Sequence, residues 1–382
     1  MERPVPGFIQ EFLGGIDLQI FQSIAVLATK IEGDPGFLIG PIAFVIGQII
    51  NFLYGIIHSL TDVNTLGISI IFLTIIVRTL MLPLAFKQQK STSAMQKVQP
   101  EVEKIKAKYE GQTDPEAQRK MNMEIQTLYS KNKVNIFGGC LPMLVTLPIF
   151  FALTYVMRQP YLFIPDVTDV YKQVGHSIQE IPNWLTVVKP AMIPLVQGLI
   201  KPDMLPSELP NIENIDLLIK GLNLFKPEVW ESLRAIAPDG GARLNEVLVI
   251  KAGAESFFGI NLINTPSLSF PSILIPALSG ITQFFTFWIM EKTNPSAAGP
   301  AQTQQTVMKF VMPVMMIVFT MQVSSGVGLY WTVSNVYQLF QQYFLNKYYR
   351  GRRKDKDEII DAEAPKKEIV KLVGKKKVEN KK

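Results

Sequence analysis

The stretch Leu66–Phe86, with the sequence LGISIIFLTIIVRTLMLPLAF, decides the fold class because it is apolar along its whole length except for one charge. At about 1.5 Å per residue, a helix of this length spans about 30 Å, which matches the hydrocarbon core of a bilayer. The charge belongs to Arg78, and a charged group at this depth costs about 3 kcal/mol or more unless it meets water or a polar partner. The stretch therefore predicts a transmembrane helix that carries a functional arginine.

Arg78 could also have a purely structural explanation. The residue lies within two turns of the end of the predicted helix, so its aliphatic stem could carry the guanidinium to the headgroups without any further role. Spacing alone leaves both interpretations open.

Four further stretches are long and apolar enough to cross a bilayer. With the first, they predict an all-α polytopic membrane protein with a core bundle of five transmembrane helices. Of the 382 residues, 48% are hydrophobic and 18% are charged, and the charges cluster between the apolar stretches. The further spans are Phe137–Met157, Ser272–Met290, Val307–Val323 and Val327–Leu345, the last two separated by Ser324, Ser325 and Gly326.

The stretch Phe37–Leu60 is apolar as well, but it contains Gln48, Asn51 and His58. A helix of this composition could cross the bilayer or could lie flat at its surface as an amphipathic interfacial helix. Whether it spans decides on which side the amino terminus lies.

Basic residues indicate the orientation, because cytoplasmic loops of membrane proteins are enriched in Lys and Arg. Residues 87–133 contain ten basic and six acidic residues, and residues 347–382 contain fourteen and seven. Residues 1–65 contain two and six, and residues 159–269 contain eight and twelve. This predicts an extracytoplasmic amino terminus, a cytoplasmic carboxyl terminus, and an N-terminal interfacial helix on the outer surface.

The predicted spans divide the chain into five segments. Within the second, residues 87–134 should form a cytoplasmic helical hairpin, because Thr113, Asp114 and Pro115 provide a cap between two helix-forming stretches. The segments are 1–65, extracytoplasmic with the interfacial helix; 66–158, the first two spans and the hairpin; 159–269, an extracytoplasmic loop or small helical cap; 270–346, the last three spans; and 347–382, a basic disordered cytoplasmic tail.

Patterns typical of enzymes do not occur in the sequence. His58 and His176 are the only histidines, neither lies at metal-ligand spacing with a carboxylate or thiol, and Cys140 is the only cysteine. The phosphate-binding patterns GxxxxGKS and GxxxxGKT do not occur either. We therefore expect no catalytic residue, no metal and no cofactor.

Several stretches resemble a known family. They are GISIIFLTIIVRTLMLPLAFKQQKS at 67–91, VQPEVEKIKAKY at 98–109, LYSKNKVNIFGGCLPMLVTLPIFFALTYVM at 128–157 and MPVMMIVFTMQVSSGVGLYWTVSNVYQLFQQYFL at 312–345. Together they closely resemble the YidC/Oxa membrane-protein insertases, over roughly residues 66–158 and 257–346.

The resemblance implies a site. The hallmark arginine of the family falls on Arg78, and family members use it to form a hydrophilic groove open to the cytoplasm and to lipid. Thr74 lies one helical turn earlier on the same face. Thr146 occupies a position where many bacterial members have a glutamine. Gln322 occupies a position where some members have an aromatic residue. The implied client-binding groove thus contains Arg78, Thr74, Thr146 and Gln322.

The resemblance also implies an activity, that of an ATP-independent insertase and chaperone that inserts and helps to fold client transmembrane segments, alone or with a Sec translocon. It implies a multi-pass protein of the plasma (inner) membrane of a bacterium. Its partners would be nascent membrane-protein clients, the lipid bilayer, a Sec translocon, and the ribosome through the basic hairpin and tail, but not DNA. Two alternatives stay open: a secondary transporter or channel for an anionic solute, against which the missing internal repeat argues, and an assembly scaffold.

Overall fold

The structure is a computed structural model that describes residues 36–112, 114–132, 141–199, 214–225, 227–293, 300–345 and 347–348. Most of them are helical, which confirms the all-α class. The predictions for residues 1–35, for the entry to the second span at 133–140 and for the tail beyond residue 348 lie outside the described residues.

The helices are, in chain order, α1 Gly36–His58, α2 Thr65–Leu80, α3 Leu82–Lys108, α4 Pro115–Lys131, α5 Leu141–Arg158, α6 Pro165–Gln179, α7 Trp184–Leu199, α8 Ile215–Gly221, α9 Pro227–Ile236, α10 Ala242–Glu255, α11 Leu274–Thr293 and α12 Pro300–Thr320, then α13 over residues 325–345. The described residues also form the strands β1 Ser256–Phe257 and β2 Ile260–Asn261 and the 3-10 helices Pro160–Leu162 and Leu222–Leu224.

Among the described helices, α1 is long and apolar enough to cross a membrane by itself. A second candidate is a bent pair, Thr65–Leu80 with Leu82–Ser91, whose axes differ by 53°. Shorter apolar helices cover Val145–Arg158 and Lys309–Thr320. The count of five spans and the interfacial placement of α1 stay predictions.

The predicted span Leu66–Phe86 is not one straight helix, because it breaks at Met81 between α2 and α3. Pro83 provides the physical reason. Proline has no backbone N–H to donate, and its ring clashes with the carbonyl of residue i−4, so a helix kinks at this position. The sequence predicts the apolar length of the stretch but not the bend that divides it.

The first core layer consists of α1, α2 and α5. One face of α1 is buried against the other two helices, with Ile50 fully buried and Tyr54 nearly so. The opposite face exposes large apolar side chains such as Phe44 and Phe52, which are 60% and 67% exposed. An apolar outer face of this kind suits contact with lipid.

The helices α3 and α4 pack against each other, and the cytoplasmic placement of the hairpin expected over residues 87–134 stays a prediction. Asp114 caps α4, since its carboxylate accepts a hydrogen bond from the Ala117 N–H at 2.8 Å. Between the helices, Glu124 accepts hydrogen bonds from Lys108 Nζ at 2.7 Å and from the Tyr109 hydroxyl at 2.8 Å. These contacts hold the two helices side by side.

The segment 159–269 contains helices α6 to α10 and the β1–β2 hairpin, and it has a buried polar cluster of its own. Glu255 is 2% exposed. Its carboxylate lies 2.6 Å from Lys251 Nζ, accepts from Asn261 Nδ2 at 2.9 Å and also accepts from the Tyr171 hydroxyl. Asn223 Oδ1 lies 2.8 Å from the same hydroxyl oxygen and accepts a hydrogen bond from Lys251 Nζ at 2.8 Å. The cluster joins α6 to the end of α10.

Burial raises the pKa of Tyr171 well above its usual value of 10.0, and the charge of Glu255 raises this pKa further. The phenol is therefore neutral in the folded protein at neutral pH, and its O–H donates a hydrogen bond to the Glu255 carboxylate.

The last helices form an antiparallel hairpin whose turn differs slightly from the prediction. Helix α12 ends at Thr320 and α13 begins at residue 325, so Ser325 and Gly326 belong to the first turn of α13. Their N–H groups donate to the carbonyls of Asn264 and Leu262 at 2.8 and 2.7 Å. The start of α13 is thus attached to the chain that follows β2.

Candidate functional site

The candidate site is formed around Arg78, on the last turn of α2. Its side chain is half-buried, and Nε donates a hydrogen bond to Ser334 Oγ at 3.0 Å. Ser334 is 1% exposed and lies on α13. The arginine therefore connects the first and last helices of the predicted core.

A second contact reinforces the first. Thr79 Oγ1 and the Tyr337 hydroxyl lie 3.0 Å apart, one residue after Arg78 on α2 and three residues after Ser334 on α13. Because residues three apart share a helix face, Ser334 and Tyr337 present one polar face to the end of α2. The two contacts fix the position of the guanidinium along α13.

The charge of Arg78 is not neutralised by a nearby carboxylate in the part of the chain that the structure describes. The described ion pairs lie elsewhere; for example, Lys309 Nζ lies 2.8 Å from Glu291 Oε2, between α11 and α12. A guanidinium has five N–H donors, and the hydroxyl of Ser334 accepts one of them. The remaining donors can serve an acidic group from outside the protein.

The other three residues implied by the resemblance lie in different surroundings. Thr74 is fully buried, and its hydroxyl donates to the Ile70 carbonyl at 2.6 Å on its own helix. Thr146 lies half-buried on α5. Gln322 is exposed in the turn after α12, and its amide donates to the Val318 carbonyl at 3.3 Å.

The structure does not bring Gln322 to the arginine. Ser334, which contacts Arg78, is nine residues into α13 from residue 325, or about 14 Å at 1.5 Å per residue. Gln322 precedes that starting point, so it lies at the N-terminal end of α13, away from the middle of the helix where Ser334 contacts Arg78. Its place in the groove stays a prediction, as do the places of Thr74 and Thr146.

Ser334 and Tyr337 are not among the site residues that the sequence predicts. Their signal was available, since they are polar residues three apart within the apolar span Val327–Leu345. The sequence could not identify Arg78 as the partner of Ser334, because the two residues are 256 positions apart.

A line of polar contacts also joins α13 to α11, and α11 to α12. Asn335 Nδ2 donates to Thr282 Oγ1 at 3.2 Å and to the Ser279 carbonyl at 3.4 Å. The Ser279 and Thr320 hydroxyls lie 3.1 Å apart. Each such bond between membrane helices contributes about 0.6 kcal/mol. Since Asn335 directly follows Ser334, neighbouring faces of α13 bind α11 and the arginine of α2.

Among the described residues, no group of three or more His, Cys, Asp and Glu side chains is placed to hold a metal ion. His58 lies 3.6 Å from the exposed carboxylate of Asp62 and stacks on Tyr54. Both contacts are with residues four positions away, and they hold the His58 ring at the end of α1.

Comparison with known proteins identifies the class. The family of the 60Kd inner membrane protein matches residues 56–210 and 227–354, which is most of the chain. The protein therefore belongs to this family of inner-membrane proteins.

Individual relatives agree with the family assignment. The chain is 26% identical over 303 residues to a Lactococcus lactis protein named membrane protein insertase YidC 1, covering 79% of this chain and 76% of that one. It is 28% identical over 285 residues to a Fusobacterium nucleatum membrane protein insertase YidC, covering 75% and 88%. A Syntrophobacter fumaroxidans protein of the same name is 29% identical over 284 residues, but the match covers only 34% of its length.

Proposed function

We propose that this protein is a membrane insertase and chaperone that inserts client transmembrane segments without ATP, alone or with a Sec translocon. The observation that carries the proposal is Arg78, a half-buried cation held by Ser334 between two core helices, with no carboxylate beside it in the described chain. The names of its relatives support the same activity.

The proposed mechanism is electrostatic. A short polar segment of a client must cross an apolar layer, and its acidic side chains would meet hydrocarbon there. Pairing with Arg78 lowers that barrier, because an ion pair in a site of low dielectric is stronger than in water. The apolar helix of the client then moves into lipid, and burial of its apolar surface drives the step.

The groove and the orientation belong to the same proposal. Thr74, Thr146 and Gln322 are proposed to line the client path with Arg78. The amino terminus is proposed to be extracytoplasmic and the carboxyl terminus cytoplasmic, as the basic residues of 87–133 and 347–382 suggest. Reaction of an engineered cysteine at Ser23, in a Cys140→Ser background, with an impermeant thiol reagent on intact spheroplasts tests the orientation; labelling only after lysis would contradict it.

Purified protein in vesicles without ATP tests the activity. We expect a single-span client with an acidic translocated segment to become protected from added protease in these vesicles and not in empty ones. Flux of an anionic solute is measured in parallel. Flux without client insertion would replace this proposal with the transporter alternative, and neither signal would favour a scaffold.

We further propose that the basic tail binds the ribosome. Residues 347–382 carry fourteen basic and seven acidic residues, so binding to RNA phosphates should weaken steeply as salt rises. Truncation after Tyr349 should reduce co-sedimentation with ribosomes in detergent at low salt and spare insertion of clients added after translation. Detergent removes anionic lipid, which attracts basic residues by about 1 kcal/mol each. Unchanged co-sedimentation would assign the tail to lipid.

A further inference from the structure

The turn of the β1–β2 hairpin contains an unexpected residue. Phe257 pairs with Ile260, so the connection has two residues, Phe258 and Gly259, with φ of 49° and 77°. Two positive φ values in a two-residue hairpin define a type I′ turn, which strongly prefers Asn-Gly, Asp-Gly or Gly-Gly. A phenylalanine at the first position is strained, because its Cβ crowds the backbone in the left-handed region.

The rest of the protein holds this turn in place. The Phe258 N–H donates to Asn64 Oδ1 at 2.6 Å, and Asn64 itself has a φ of 63° directly before α2. Phe257 packs so closely on the first turn of α2 that a Cβ at Gly67 would lie 2.1 Å from its ring. The hairpin is therefore fixed on the end of α2, and its tip has a defined position.

Within the described part of the protein, burial of the Phe258 ring does not offset the strain of the turn. The Phe258 side chain is 74% exposed, and its ring contact there is an edge contact with Phe257. Two further exposed apolar residues follow on the chain, Leu268 and Phe270, at 81% and 80% exposure. A Cβ at Gly259 would lie 4.0 Å from Pro271 Cγ, so the hairpin tip borders the turn that carries Phe270.

This apolar tip lies where membrane helices begin. The hairpin contacts the start of α2, the chain after β2 binds the first turn of α13, and the loop that follows leads into α11. From residue 256 to residue 290 the sequence contains no Asp, Glu, Lys or Arg. An uncharged loop with exposed aromatic rings at the ends of membrane helices has the composition of a bilayer interface.

We propose that Phe258, Leu268 and Phe270 form an apolar tip that inserts into the boundary between headgroups and acyl chains, in the leaflet on the side of segment 159–269. The occupant is lipid, because α2, to which the hairpin is fixed, also exposes large apolar side chains along its length. On α2, below the tip, Phe72 is 49% exposed and Ile75 is 40% exposed. Lipid contact offsets the strain of the turn and anchors the hairpin and the end of α2 at a fixed depth.

Spin labelling measures this depth directly. The Phe258→Cys variant in a Cys140→Ser background is labelled with a nitroxide and reconstituted in vesicles of phosphatidylcholine and phosphatidylglycerol. We expect the label to collide several-fold more often with dissolved oxygen than with a water-soluble nickel chelate. The matched control is Glu246→Cys, a charged and exposed residue of α10, where the chelate should dominate.

Two outcomes would overturn the proposal. Frequent collisions with the chelate at position 258 would place the tip in water, and few collisions with either reagent would place it under protein, as expected for a client contact or a second copy. The Phe258→Trp variant keeps an aromatic ring at the tip and guards against loss of the hairpin in the cysteine variant. Its extra emission, relative to the parent protein, should be quenched in vesicles with brominated acyl chains, and unquenched emission would contradict insertion.

Discussion

Replacing Arg78 with Ala should reduce insertion of clients with acidic translocated segments by about ten- to a hundredfold. The reason is that a hydrogen bond to a charged group contributes about 1.5–3 kcal/mol, and about 1.4 kcal/mol corresponds to a factor of ten. The measurement is the rate of client insertion into vesicles at equal amounts of reconstituted protein. A client with the same span and a neutral, Asn-containing segment should insert at a nearly unchanged rate.

Two matched variants separate charge from geometry. Arg78→Lys keeps the cation but loses the planar guanidinium, so it retains activity if charge alone matters and loses it if a bidentate fork is needed. Ser334→Ala keeps the arginine and removes the acceptor at 3.0 Å. Its effect should be smaller, about two- to tenfold, as for one hydrogen bond. Wild-type insertion of acidic clients by Arg78→Ala would remove the arginine from the mechanism.

The sequence predicted features that depend on local chemistry. A lone arginine in an apolar stretch is visible without any contact information, and so is the cap at Asp114, because a helix start depends on neighbouring residues. In the structure Asp114 caps the start of α4. The family assignment likewise follows from short stretches that are contiguous in the chain.

Other features depend on contacts between distant residues, which a sequence pattern does not contain. The acceptor Ser334 is 256 residues from Arg78, and Asn64 reaches across 194 residues to the amide of Phe258. For segment 159–269 the sequence offered two readings, loop or helical cap, because its prolines interrupt any long period. Its polar cluster brings together Tyr171 and Glu255, which are 84 residues apart. Packing, rather than local propensity, selects such partners.

That cluster makes Glu255 the residue whose change should most destabilise the segment 159–269. The Glu255→Gln variant keeps the shape of the side chain but removes its charge, which leaves Lys251 with 12% exposure and no counter-ion. Removing one partner of a buried ion pair costs about 3–5 kcal/mol, so we expect the free energy of unfolding to fall by about 3 kcal/mol. Denaturant titration in mild detergent measures it.

The matched control is Glu180→Gln, the same substitution in the same segment. Glu180 pairs with Arg243 at 2.7 Å, but both side chains are more than half exposed, so the loss should stay below about 1 kcal/mol. Equal losses in the free energy of unfolding would show that the buried ion pair stabilises the protein no more than the exposed one does.

The dependence of stability on pH provides a second readout of the same cluster. In the folded protein the pKa of Tyr171 lies well above 10.0, because of burial first and the charge of Glu255 second. The folded state therefore holds the phenolic proton more tightly than the unfolded state does. The resulting contribution to stability is complete below pH 10.0 and is lost as the pH rises above that value. Removing the charge in Glu255→Gln lowers the folded-state pKa of Tyr171, so this variant should lose less stability between neutral pH and pH above 10 than the parent protein does. A parallel loss in both proteins would mean that the carboxylate does not act on the phenol.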